Sequence, residues 1–207
     1  MKTITLSLLL ILSSGSMLTA QSNNIEITRK NSTAFNRDAV FENGIVHLNA
    51  NANDGILWIN NLDFKNGTIE LDIKGKNAQG QSFVGMAFHG IDNQMYDVVY
   101  FRPFNFKNPE RKMHAIQYVS LPKHDWSTLR HAFPGKYENQ MQPVPENEED
   151  WFHTKIEVQH PHIKVYVNGS NSPALEIDLI SETKHGKVGL WVGNGSEGWF
   201  RNLKIEQ

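Results

Sequence analysis

Apolar residues recur with a period of two along most of the chain, in short runs bounded by Gly, Asn, Asp or Pro. That period places alternate side chains on opposite faces of an extended segment, which predicts half-buried antiparallel strands rather than helices. Strands are expected at 25–28, 45–48, 55–59, 68–74, 82–89, 95–102, 114–119, 152–159, 163–167, 174–179, 187–192 and 199–206. So many strands in one open sheet would leave an apolar face wet, so two packed antiparallel sheets, an all-β sandwich, are expected.

Two stretches break the alternation, 103–113 and 120–150. Disordered segments are poor in aromatic residues. The second stretch instead holds Trp126, Phe133 and Tyr137 beside His124, Asp125, Arg130, His131, Lys136 and Glu138. It is therefore expected to be ordered and to wall a binding site, the alternative being a loop stapled to the sandwich by its aromatics.

The first residues change the picture of where the protein works. Lys2, the apolar run Ile4 to Leu12 and the small residue Ala20 after Leu18 have the layout of a cleaved signal peptide over residues 1–20. Residues 21–207 are then expected to form one domain, placed in the periplasm or outside the cell. The chain has no cysteine, so neither disulfides nor a lipoprotein anchor are expected. The net charge is −2 with both signs interspersed, which argues against a nucleic-acid or membrane partner.

Parity suggests candidate site residues. In 82–89, Val84, Met86 and Phe88 read as one face, which leaves Phe83, Gly85, Ala87 and His89 on the other. In 95–102, Val99 and Phe101 read as core, with Tyr96, Tyr100 and Arg102 opposite. Gln117 is a polar misfit in an apolar strand, and its facing stays open because Tyr118 suits either side. Aromatic rings with Arg, Gln and Asn nearby can stack on a pyranose and fork hydrogen bonds to its hydroxyls. Trp191 is expected opposite Leu190 and Val192, either in the core or as a stacking platform.

Four strings carry a likeness to a known group: Tyr100-Phe101-Arg102-Pro103-Phe104-Asn105-Phe106, His114 to Ser120, Pro134 to Asn139, and Gly189 to Gly198. From about residue 38 to 205 the chain resembles secreted bacterial proteins of the concanavalin A-like lectin/glucanase superfamily, near LamG-like and 3-keto-disaccharide hydrolase domains. The resemblance implies a concanavalin A-like jelly roll and an oligo- or polysaccharide partner. It implies either cleavage of glycosidic bonds or a lectin-like carbohydrate-binding module without catalysis; a lyase is the less favoured chemistry, and a structural or adhesive domain the blandest option. No cofactor is expected, although a structural calcium held by loop oxygens around Asn53 and Asp54 is compatible with the superfamily.

Within that resemblance, proton transfer is assigned to Glu138 or His114, substrate orientation to Arg102, Gln117 and Asn105, stacking to Tyr100 and Trp126, and a further contact to His89. Glu197 is a second loop acid. Glu70 and Asp72 echo the Glu-x-Asp-x-Glu catalytic strand of laminarinase-like hydrolases, but Lys74 replaces the third acid, and the same alternation describes any strand with one wet face. Nine histidines show no metal-ligand spacing, so zinc is not expected.

Overall fold

The computed structural model describes residues 23–207. The expected signal peptide lies outside the described residues. The strands are β1 (Asn23–Asn24), β2 (Ser32–Phe35), β3 (Ala39–Glu42), β4 (Ile45–Leu48), β5 (Gly55–Ile59), β6 (Gly67–Lys74), β7 (Val84–Gly90) and β8 (Tyr96–Phe101). They continue as β9 (Ile116–Leu121), β10 (Glu138–Asn139), β11 (Phe152–Gln159), β12 (His162–Val167), β13 (Leu175–Asp178), β14 (Lys187–Val192) and β15 (Gly198–Glu206). A short α-helix, α1 (Trp126–Ala132), interrupts them between β9 and β10.

The strand pairings are antiparallel, and they build two sheets. One runs β13-β12-β11-β6-β15-β4-β3, with β1 also on β15; the other runs β10-β9-β8-β7-β14-β5-β2. The sequence expectation of a two-sheet sandwich is therefore met. It missed β2, β3, β10 and α1, and it placed a strand at 25–28 where the chain pairs instead through Asn23 and Asn24, with one further bond from Ile25 N to Leu203 O.

The alternation decides which residues meet between the sheets. Ile69, Leu71 and Ile73 of β6, with Phe152, Ile156 and Val158 of β11, face Val84, Met86 and Phe88 of β7 and Val99 and Phe101 of β8. Phe101 and Phe152 touch edge to face across the sandwich, ring centroids 4.8 Å apart. Each such side chain stabilises the fold by roughly 1.5–3 kcal/mol relative to exposure.

The outer faces differ. That of the eight-stranded sheet is polar: Glu70, Asp72, His153 and Arg201 interlock there. That of the seven-stranded sheet is filled by its own large side chains, Trp58 against Tyr96 and Tyr100 against Trp191, and β7 and β8 are buried along both faces. Most of the functional candidates collect on or next to that face.

Candidate functional site

Across the outer face of the seven-stranded sheet, register brings Tyr100 beside Gly85 and Gln117, Gln117 beside Glu138, and Gly85 beside Trp191. Gly85 leaves the space these rings occupy, since a Cβ there would run into the Val99 carbonyl and the Tyr100 backbone. Over this floor lies a cleft of about 250 Å³ lined by Asp54, Phe83, Tyr100, Val119, Leu121, Asp125, Trp126, Trp191, Gly193 and Asn194.

Helix α1 supplies the far wall. Asp125 caps it, accepting a hydrogen bond from Thr128 N at 2.7 Å, and that cap presents Trp126 at the cleft edge, 46% exposed. Arg130 follows four residues later on the same helix face, its guanidinium 5.1 Å from the Trp126 ring centroid. The loop that reads as aromatic-rich in sequence thus carries one stacking residue into the cleft, while Tyr137 is buried and packs against Tyr118.

The acid of the floor is Asp54, at the entrance of β5. Its carboxyl stands above the usual range because burial penalises the charge, offset in part by the Tyr96 hydroxyl at 3.4 Å, the Arg37 charge and a backbone hydrogen bond from Asn194. Beside it, the buried indole Nε1 of Trp191 makes no hydrogen bond among the described residues. Tyr100 completes the floor. Arg102 donates from Nη2 to its hydroxyl at 2.6 Å, so the phenol proton is left to donate elsewhere. Burial pushes the Tyr100 hydroxyl up to about 12, against the opposing pull of Arg102, so it stays a donor through the neutral range.

Behind this floor sits a second group, from which the lining of the cleft takes nothing but Tyr100. Arg102 also donates to the His114 carbonyl at 2.8 Å and to Gln117 Oε1 at 3.4 Å. Gln117 donates to the carbonyls of Tyr118 and Tyr137, both at 3.0 Å. Asn105 donates to the His114 carbonyl at 3.2 Å. Glu138 is buried and gripped by Arg130, whose Nε lies 2.9 Å from Oε1 and whose Nη2 lies 2.5 Å from Oε2. His114 Nδ1 reaches 2.8 Å from Oε2, a charge-pairing distance without the alignment of a good hydrogen bond.

Burial alone would raise the Glu138 carboxyl, but the hydrogen bonds from Arg130 and the close approach of Arg130 and His114 win and hold it below the usual range. Its contribution to stability is therefore present above the unfolded-state value and is lost as pH falls through the lower folded value. Glu138→Gln is expected to lower the urea midpoint at neutral pH and to lose that deficit once the pH falls below the folded carboxyl's value. A deficit independent of pH would show that the ion pair does not act as described.

Of the residues singled out by sequence, Tyr100 and Trp126 line the cleft. Arg102, Gln117, Asn105, Glu138 and His114 form the layer behind it. His89 is a correction: it is not on this face. A backbone φ of +51° and a register shift of β14 against β7 turn it into the interior, fully buried, where Nδ1 meets Asp97 Oδ2 at 3.1 Å and Nε2 meets the Lys65 carbonyl at 3.0 Å. Glu70 and Asp72 sit on the opposite outer face of the sandwich, and Glu197 bonds His47 at 2.9 Å. Sequence reading missed Asp54 as an acid of the floor, and no local pattern marks it, because what distinguishes it is the company of Tyr96 and Trp191.

Among the described residues, no three His, Cys, Asp or Glu side chains gather as a metal-holding group, and no helix is long and apolar enough to cross a membrane.

A family model described as a 3-keto-alpha-glucoside-1,2-lyase-like domain matches residues 20–206. The chain belongs to this family. The family match covers both the floor and the layer behind it. Among solved structures, the chain is similar to a carbohydrate-binding module, CBM66, from Bacillus subtilis, at 15% identity and TM-score 0.62, covering 86% of this chain and 96% of that one. It is similar to a proposed glycosyl hydrolase from Parabacteroides distasonis, at 16% identity and TM-score 0.61, covering 89% and 98%. It is also similar to the exoplasmic/lumenal domain of VIP36 in a form bound to calcium and Man3GlcNAc, at 14% identity and TM-score 0.59, covering 88% and 85%. At these identities the likeness establishes the shared sandwich fold. Nothing among curated protein sequences matches the chain. This 3-keto-alpha-glucoside-1,2-lyase-like domain is thus a carbohydrate-related domain on a concanavalin-like sandwich.

Proposed function

We propose that the domain cleaves a 3-keto-α-glucoside by elimination across C1 and C2, with Asp54 as the base. The observation that carries this reading is a carboxylate made more basic by burial, lining the same cleft as Tyr100 and the rings of Trp126 and Trp191. A ketone at C3 acidifies the proton at C2. Asp54 takes that proton, the electron pair closes toward a C1–C2 double bond, the C1–O bond breaks, and the departing oxygen ends as an alcohol by gaining a proton. Charge that develops on the C3 oxygen needs a donor in place beforehand, and the Tyr100 hydroxyl, itself receiving a hydrogen bond from Arg102, is such a donor. A base is most effective when its pKa lies toward the working pH, which is the direction burial moves Asp54.

The lining adds selectivity. Its ionisable groups include Asp54 and Asp125 and no cationic side chain, which favours a neutral sugar over a uronate. In this reading the protein works outside the cytoplasm, as the N-terminal residues suggest.

The exposed Trp126 favours a second reading, in which the same cleft captures a sugar without reacting. A single experiment separates them. A 3-keto-α-glucoside carrying deuterium at C2 is incubated with the purified protein, and products are followed by mass spectrometry with binding followed by calorimetry. Elimination releases the alcohol with loss of the label and a primary isotope effect. Release with the label retained would mean hydrolysis, and heat of binding with no release would leave a binding module.

A further inference from the structure

Arg37, in the turn between β2 and β3, is 6% exposed, although long cationic side chains are ordinarily solvated. Its guanidinium gathers carbonyl oxygens from three separate segments: Asn36 at 2.6 Å, Asn53 at 2.7 Å and Gly193 at 2.9 Å. The segments so gathered are further sewn together, by Asn53 N to Asn194 Oδ1 at 2.7 Å and Gly195 N to Asn51 O at 2.8 Å. Asp54, Gly193 and Asn194 line the cleft, so Arg37 stands directly behind one of its walls. Gly55 makes the arrangement possible, because a Cβ there would collide with the Arg37 side chain.

Converging carbonyls next to a carboxylate are what a divalent cation bound by loop oxygens would require. Here those oxygens are already engaged by a guanidinium, whose charge also acts on Asp54. The residues around Asn53 and Asp54 therefore do not fit a calcium ion in addition to Arg37.

We infer that Arg37 is a resident cation behind the cleft wall: a positioning residue whose guanidinium, in place of a bound divalent ion, joins the 51–54 and 193–195 segments and sets the placement of Asp54. The wall needs no sugar to be formed, and only its bearing on chemistry rests on the function proposed above.

The test reads the wall directly, by hydrogen–deuterium exchange of the full chain. Arg37→Ala is expected to lose protection at 51–54 and 193–195 by about tenfold or more, the scale of a lost charged hydrogen bond, while β6 and β11 keep theirs. Ethylguanidinium should restore part of that protection, and calcium chloride should not. Gly55→Ala should reproduce the loss with Arg37 still present. Should Arg37→Ala fail to fold, Arg37→Lys keeps the charge and lacks the fork, and it is expected to lose protection at the same two segments. Wild-type protection that falls on chelation and returns with calcium would overturn the inference, as would unchanged protection in Arg37→Lys or in a folded Arg37→Ala. Absence of elimination activity with these exchange results intact would sink the proposed function and leave Arg37's place standing.

Discussion

Asp54→Asn is expected to slow release of the alcohol from a 3-keto-α-glucoside by about 10²–10⁴-fold, the usual contribution of a positioned acid or base. The change is nearly isosteric. The new amide would still fit beneath the Tyr96 hydroxyl and beside Asn194, so affinity measured by calorimetry should stay within a few-fold of the wild type. Loss of rate with affinity retained is the mark of a group that acts on the reacting atoms. The pH profile adds a second check: because the folded carboxyl is raised, the acidic limb of the rate should lie at higher pH than for an ordinary aspartate. If Asp54→Asn turns over as fast as the wild type, the base is elsewhere, and His114, which is one-third exposed beside Glu138, is the next residue to replace.

Asp97→Ala is expected to cost about 3–5 kcal/mol of folding stability, the range for breaking a buried ion pair, here with His89, by removing one partner. Asp97 is fully buried, as are His89 and Tyr118. It accepts the Tyr118 hydroxyl at 2.9 Å on one oxygen and faces His89 Nδ1 at 3.1 Å with the other. Removing it strands both partners away from water, whereas trimming one apolar neighbour would leave no polar group unpaired. Against the roughly 5–15 kcal/mol typical of a domain, such a loss is large, and urea unfolding should register it. A deficit below about 1 kcal/mol would mean that water reaches the network, contrary to the burial described.

Much of the fold was legible because alternation is a local property. Val84, Met86 and Phe88 could be assigned to one face from spacing alone, as could Tyr96, Tyr100 and Arg102, and the longer of the stretches that broke the rhythm carries α1, which brings Trp126 to the cleft. Parity failed at His89 because it assumes extended backbone throughout. One left-handed residue and one register shift invert the side chain, and neither leaves a mark in the pattern of apolar residues.

The site was legible only in its aromatics. Tyr100 and Trp126 were recognisable from their strand and their loop, whereas Glu138 looked like a free loop acid and is instead clasped by Arg130. Asp54 stood out in the sequence only as a possible calcium ligand and not as a base, since a lone aspartate before a strand is ordinary turn chemistry.

That the chain is a two-sheet sandwich could be read from its sequence, because strand periodicity acts between near neighbours. Which acid enters the cleft and which is tied down became visible in the folded chain. Those outcomes depend on groups far apart in the chain: Asn194 meets Asn53 across 141 positions, and Arg37 meets Gly193 across 156. A carboxyl's basicity follows from its depth and its neighbours, and both are set when distant segments close around it.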